Sequence, residues 1–158
     1  MAYTPPLWPV SVKGVALDRH ERVLLLKNER DEWELPGGRL ETGGPHGTRL
    51  PDVSPEAALE REILEETGWK VKAGPLVEGG AWIYQPIPGR RVLIVTYGCT
   101  VLTPDRPPAV SHEHKQLGMF TVDEVSSLNL PDGYKRAITS WYRRTRPASP
   151  ALDDYDRM

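Results

Sequence analysis

Three carboxylates crowd one helical turn in Arg61-Glu62-Ile63-Leu64-Glu65-Glu66-Thr67-Gly68. At about 100° per residue, with Glu62 as zero, Glu65 falls near about −60° and Glu66 near about +40°. The three share one strip of helix surface, and Leu59 and Ile63 lie beside them toward the apolar flank. Like charges at these spacings repel, each pair costing roughly 0.2–0.5 kcal/mol on an exposed helix. Hard divalent cations reverse the sign of that interaction. Mg²⁺ takes a few carboxylates and completes its shell with waters and phosphate oxygens. The competing reading is a solvated acidic face, with Arg61 paired to Glu65 and Lys70 or Lys72 close by.

The surrounding residues favour the metal reading. The segment resembles the Nudix box, Gly-x5-Glu-x7-Arg-Glu-U-x-Glu-Glu-x-Gly-U with U apolar. Arg61, Glu62, Ile63, Glu65, Glu66, Gly68 and Trp69 match its second half. The lead-in Trp33-Glu34-Leu35-Pro36-Gly37-Gly38 looks like the family's entry to the box, and Glu41 stands where many members carry a glutamate. One departure is clear. Twenty-two residues separate Gly38 from Arg61 where the pattern has thirteen, so about nine are extra, roughly Gly44 to Val53. The first box glutamate is missing: Gly44 stands at its place counted forward, Val53 counted back. Glu41 and Asp52 are the candidates to compensate. His46, inside the insertion, is either a metal ligand or a mobile loop histidine.

The resemblance implies hydrolysis of a nucleoside diphosphate linked to another group, by water, with Mg²⁺ or Mn²⁺ bridging carboxylates and pyrophosphate. The alternative is a non-catalytic module of the same fold that binds a nucleotide as a sensor or regulator. In the enzyme reading Glu62, Glu65 and Glu66 are metal ligands, and Glu65 or Glu66 can also take the proton of the attacking water. Arg61 orients the cluster, and Gly37 offers a backbone ligand, because glycine lets the main chain approach closely. Glu113, in Ser111-His112-Glu113-His114, is either a general base or outer metal ligand, or a solvated loop carboxylate. Trp33, Trp82 and Tyr84 could stack on a base or belong to the core. Arg90 or Arg91 could hold a terminal phosphate; Arg91 is taken for that role, and Glu41 is counted with the substrate-binding residues. A Pro or Tyr at a set distance past the box separates some subfamilies. Tyr84 and Pro86 are both out of register with it, so the substrate stays open.

These side chains need a scaffold. Residues 8–18 read as a strand, 18–21 as a turn, and 22–27 as a buried strand pairing back on the first as a hairpin. Pro36-Gly37-Gly38 reads as a sharp reversal. Ser54 and Pro55 start the carboxylate helix, Glu56 suits its positive end, and Gly68 stops it. Residues 70–78 and 79–86 read as two strands around Gly79-Gly80, 91–100 and 117–121 as further strands, and 131–144 as a terminal helix. A turn or short helix is expected near Asp123 or Ser126. The resulting class is α+β. The resemblance implies an α/β/α sandwich, a mixed curved sheet flanked by the box helix and the C-terminal helix. Residues 1–145 form one expected domain, and 146–158 an expected disordered tail.

The bulk composition sets limits. Net charge is −2, so no global field holds extended nucleic acid or an anionic membrane, and an anionic substrate must be held locally. Cys99 is the only cysteine, which excludes an internal disulfide and fits a reducing compartment. Sixteen prolines, about twice the usual share, fall between periodic segments and punctuate a folded domain. With no leader-like N-terminus and no long apolar run, the expected location is the cytoplasm and the expected partner a small nucleotide. The Trp82–Tyr84 strand and the proline-rich N-terminus are the candidate surfaces for a homodimer.

Overall fold

The computed structural model describes residues 6–43, 50–112, 114 and 116–146 of the chain. The carboxylate helix, α1 (Pro55–Thr67), begins and ends on the residues whose chemistry dictates it. Ser54 Oγ accepts the N–H of Ala57 at 3.1 Å, and Pro55 fills the first turn, where its missing N–H is no loss. Gly68 takes φ 75°, and its N–H returns to the Leu64 carbonyl at 2.9 Å.

Strand β1 (Val10–Ala16) lies inside a four-stranded sheet ordered β4-β1-β6-β5. It runs antiparallel to β4 (Gly37–Arg39) and parallel to β6 (Arg90–Val101), and β5 (Val71–Ile87) pairs antiparallel with β6. A second sheet places β2 (Val23–Lys27) between β3 (Trp33–Glu34) and β7 (Gln116–Phe120). Two expectations change here. The chain does reverse at Asp18–Arg22, where the Asp18 carboxylate accepts the N–H groups of His20 and Arg22. Yet only a Leu17–Val23 bridge joins β1 to β2, because both edges of β1 are taken by β4 and β6. Gly79-Gly80 does not divide two strands either. β5 continues through it, with register shifts between Ala73, Leu76 and Ala81 and Gly79 at φ 72°.

Side-chain alternation sends the two faces of these strands to different helices. Val12 and Ala16 of β1, Leu24 and Leu26 of β2, and Tyr97 and Cys99 of β6 pack with Leu59 and Ile63 of α1. Val15, Leu25, Val92 and Ile94 point the other way, into a core closed by Tyr134, Ala137 and Ile138 of α3 (Asp132–Thr145). Between β7 and α3, α2 (Val122–Val125) is a single turn held by a Thr121–Glu124 capping box, one position before the expected start. The molecule is thus an α/β/α sandwich with α1 on one side and α3 on the other. Residues 147–158, most of the expected tail, lie outside the described residues; Arg146 pairs with Glu21 at 3.6 Å. Among the described residues no helix is long and apolar enough to cross a membrane.

Candidate active site

The glycines of the lead-in form the wall against which α1 presses its carboxylates. Gly37 and Gly38 are not a turn but strand β4, opposite Lys13 and Val12. Gly37 sits at φ 142°, where a Cβ would lie 2.0 Å from the Val12 carbonyl oxygen. Its N–H donates to Glu66 Oε2 at 3.4 Å. A Cβ on Gly38 would meet Glu62 Cδ at 2.7 Å. A side chain at Gly37 would run into the β1 backbone, and one at Gly38 would displace Glu62.

Glu62, Glu65 and Glu66 line one cavity of about 250 Å³ with Ser111 and His112. Glu66 is 5% exposed. Burial pushes its carboxyl up to about 7, against the lowering pull of Lys13, His114 and the Gly37 N–H. A buried acid in that state gains when a cation enters. The donor set is all oxygen and suits Mg²⁺ or Mn²⁺. As the side chains stand, no three acidic, His or Cys residues among those described converge as a finished metal site. Glu65, with 44% of its side chain exposed, has room to turn inward. Arg61 touches both neighbours, Nη2 to Glu62 Oε1 at 3.4 Å and Nε to Glu65 Oε1 at 3.9 Å. Lys72 reaches Glu60 instead of the triad.

Across β4 the charge changes sign. Ser11, Lys13, Arg30, Arg39, Arg90, Glu34 and Tyr84 help to line a cleft of about 190 Å³. Lys13 is the hinge between the two regions. It is buried, which disfavours its charge, but Glu34, Glu66 and Glu62 surround it and with Tyr134 keep it protonated. Burial alone would also raise the Glu34 carboxyl. The charge of Lys13 and hydrogen bonds from His114 (Nε2 to Oε1, 3.1 Å) and Asn28 (Nδ2 to Oε2, 3.3 Å) hold it down at about 2. The Glu34 bond in turn raises His114 above the usual imidazole range, against the effect of its burial.

The substrate-binding candidates separate. Trp33 is core: it is buried and meets Phe120 edge-on at 4.9 Å. Trp82 is partly buried and packs on Tyr134 at 5.0 Å between the sheet and α3. Tyr84 lines the cleft, its hydroxyl donating to Glu32 at 2.5 Å. Arg91 points to the opposite face of β6, where its Nε donates to Gln85 at 3.1 Å. Arg90 shares the parity of Val92 and Ile94 and enters the cleft, so strand alternation decides between the two arginines. Glu41 is tied by its backbone to Asp52 and does not line the cleft. Glu113 and His46 lie outside the described residues. Lys13, Glu34 and His114 were not among the candidates. Lys13 had a signal, as the only charge in Val-Ser-Val-Lys-Gly-Val-Ala, on the same face as Val15.

A family model described as the NUDIX domain matches residues 7–142. The chain belongs to the Nudix family. A MutT-like protein of Streptomyces ambofaciens is 40% identical over 76 residues, covering 48% of this chain and 44% of that protein. Diphosphoinositol polyphosphate phosphohydrolase 3-alpha of Homo sapiens is 32% identical over 113 residues, covering 70% of this chain and 62% of that protein. The Nudix chain therefore spans under two thirds of these curated relatives. Among solved structures, a MutT protein from Methanosarcina mazei Go1 superposes with TM-score 0.68 at 20% identity, covering 89% of this chain and 96% of the other. A UDP-X diphosphatase superposes with TM-score 0.64 at 25% identity, covering 92% of this chain and 67% of the other. The first of these likenesses shows the fold alone.

Proposed function

We propose that this Nudix chain hydrolyses a pyrophosphate bond in a nucleoside diphosphate linked to another group, with Mg²⁺ as cofactor and Mn²⁺ able to replace it. The observation that carries the reading is the sorting of charge on either side of β4. An acid cavity for cations adjoins a cationic cleft for phosphates, and Lys13 stands between them. Glu62, Glu65 and Glu66 would hold the metal, with the Gly37 backbone as a further ligand. When bound, the metal supplies charge neutralisation of the pyrophosphate and a more acidic water.

The chain's own residues supply the rest. Lys13, Arg39 and Arg90 bind phosphate oxygens and fix the substrate's direction relative to the acid cavity. Glu65 or Glu66 is the candidate to take a proton from water. Tyr84 borders the cleft with its hydroxyl already committed to Glu32, which leaves its ring for contact with the leaving half of the substrate. Glu113 remains a candidate base from the segment that brings His112 to the cavity.

The test is a hydrolysis panel with Mg²⁺, read by chromatography of the products, covering ADP-ribose, nucleotide sugars, dinucleoside polyphosphates, nucleoside triphosphates and diphosphoinositol polyphosphates. Turnover is expected on at least one and should vanish with EDTA. E65Q and E66Q should lose at least about a hundredfold in turnover while still folding, the scale of a lost acid–base group. Unchanged turnover in both variants would overturn the assignment. Binding of nucleotides with Mg²⁺ but no turnover anywhere would favour a sensor instead.

A further inference from the structure

The segment between Gly43 and Ser54 departs from the box pattern, and its last residues are the informative ones. Val53, where the count back from Arg61 puts a glutamate, is 95% exposed and touches nothing of the site. Its neighbour Asp52 turns inward, with 9% of its side chain exposed. Each of its oxygens is used. Oδ1 accepts from Arg61 Nη1 at 2.8 Å, and Oδ2 accepts the Glu41 N–H at 2.7 Å. The Asp52 N–H also donates to the Glu41 carbonyl at 2.9 Å. Glu41 and Asp52 are therefore tied to each other by two hydrogen bonds.

Arg61 reads as the receiver of this arrangement. Its bond to Asp52 is short, while its contacts to Glu62 and Glu65 are long, at 3.4 and 3.9 Å. Its Nε is buried and makes no hydrogen bond among the described residues. A guanidinium is a rigid planar fork, so fixing one nitrogen sets the directions of the others. With Asp52 holding one edge, Nη2 donates to Glu62 Oε1 at 3.4 Å and Nε faces Glu65 Oε1 at 3.9 Å.

We propose that Asp52 is a positioning residue for the acid cavity. It locks the plane of Arg61, and Arg61 keeps Glu62 and Glu65 turned toward the acid cavity. The proposal rests on the metal-site reading above and adds to it the residue that supplies the acid missing from the box.

The experiment is Mn²⁺ titration calorimetry without substrate on the wild type, D52N, D52E and R61K, with thermal melts on each. Outer partners of metal ligands typically change metal affinity by about 10–100-fold. D52N is expected to bind Mn²⁺ at least about tenfold more weakly while folded, and to lower kcat with little change in KM. D52E should recover most of the affinity, since the carboxylate is retained. R61K keeps the charge but loses the fork, and should weaken Mn²⁺ binding as much as D52N does. The double variant D52N/R61K should be no worse than R61K. If D52N does not fold, D52E and R61K carry the test: a wild-type affinity in R61K overturns it. Multiplicative losses in the double variant, or D52N with wild-type affinity and kcat, also overturn the proposal and leave the metal site standing. A wild type that binds no Mn²⁺ at millimolar concentration sinks the metal site itself, and the proposal with it.

Discussion

Replacing Glu34 by Gln removes the charge that holds the two halves of the site together. Gln keeps the size of the side chain but has one acceptor oxygen where Glu34 has two, so the negative charge beside buried Lys13 is lost together with one of the bonds from Asn28 and His114. The Glu34 carboxyl is lowered from 4.5 to about 2. At 1.36 kcal/mol per pKa unit, that shift corresponds to about 3 kcal/mol of stability. The native state binds this proton less readily than the unfolded chain does. The contribution is therefore complete above the unfolded value of 4.5 and drains away as pH falls toward 2. Urea unfolding at pH 3, 5 and 6, in EDTA, gives the difference between wild type and E34Q directly. We expect about 3 kcal/mol at pH 6, falling to about 1 kcal/mol at pH 3. His114 should titrate lower in E34Q by NMR, because its hydrogen-bonded anion has gone. A difference under 1 kcal/mol at pH 6, or one that does not shrink between pH 5 and pH 3, would refute the reasoning.

Other consequences are equally open to measurement. G38A should fold, because the clash falls on the movable end of Glu62, but should weaken Mn²⁺ binding by about tenfold in titration calorimetry. R90A should raise KM severalfold on the substrate found by the panel, and R91A should leave it unchanged in the same steady-state assay; the reverse order would overturn the parity argument. Mn²⁺ at a hundred times its dissociation constant should stabilise the protein by about 2.7 kcal/mol in thermal or urea melts, and that gain should be lost in E66Q.

What was legible in the sequence was local. Ser54, Pro55 and Gly68 mark the ends of α1 because capping is decided within a few residues. The strip of Glu62, Glu65 and Glu66 follows from helix geometry alone. What was not legible was non-local. Nothing near residues 8–27 reveals that β6 takes the edge of β1 where β2 was expected, since that pairing joins segments about eighty residues apart in sequence. The continuity of β5 through Gly79-Gly80 depends on bulges set by the partner strand. Trp33 and Trp82 stayed open between stacking and core because residue type carries no face; Phe120 packs against buried Trp33, and α3 against partly buried Trp82. The choice of Arg90 over Arg91 was within reach, because Val92 and Ile94 already mark the inward parity of that strand. Glu34 and His114 were out of reach, since eighty positions separate them.

The parallel pairing of β1 with β6 also sets a timetable for synthesis. Val10–Ala16 leaves the ribosome well before its partner, which is complete only when Val101 has been made. Until then the segment can meet β4 and α1 but not the strand that covers its other edge. Closing such a long loop comes late and slows folding compared with local contacts. At about 5–20 residues per second, the nascent chain carries Val12, Val15 and Ala16 without their final cover for several seconds. That interval is when β1 is most open to chaperones, and when a neighbouring nascent chain could pair with its uncovered edge.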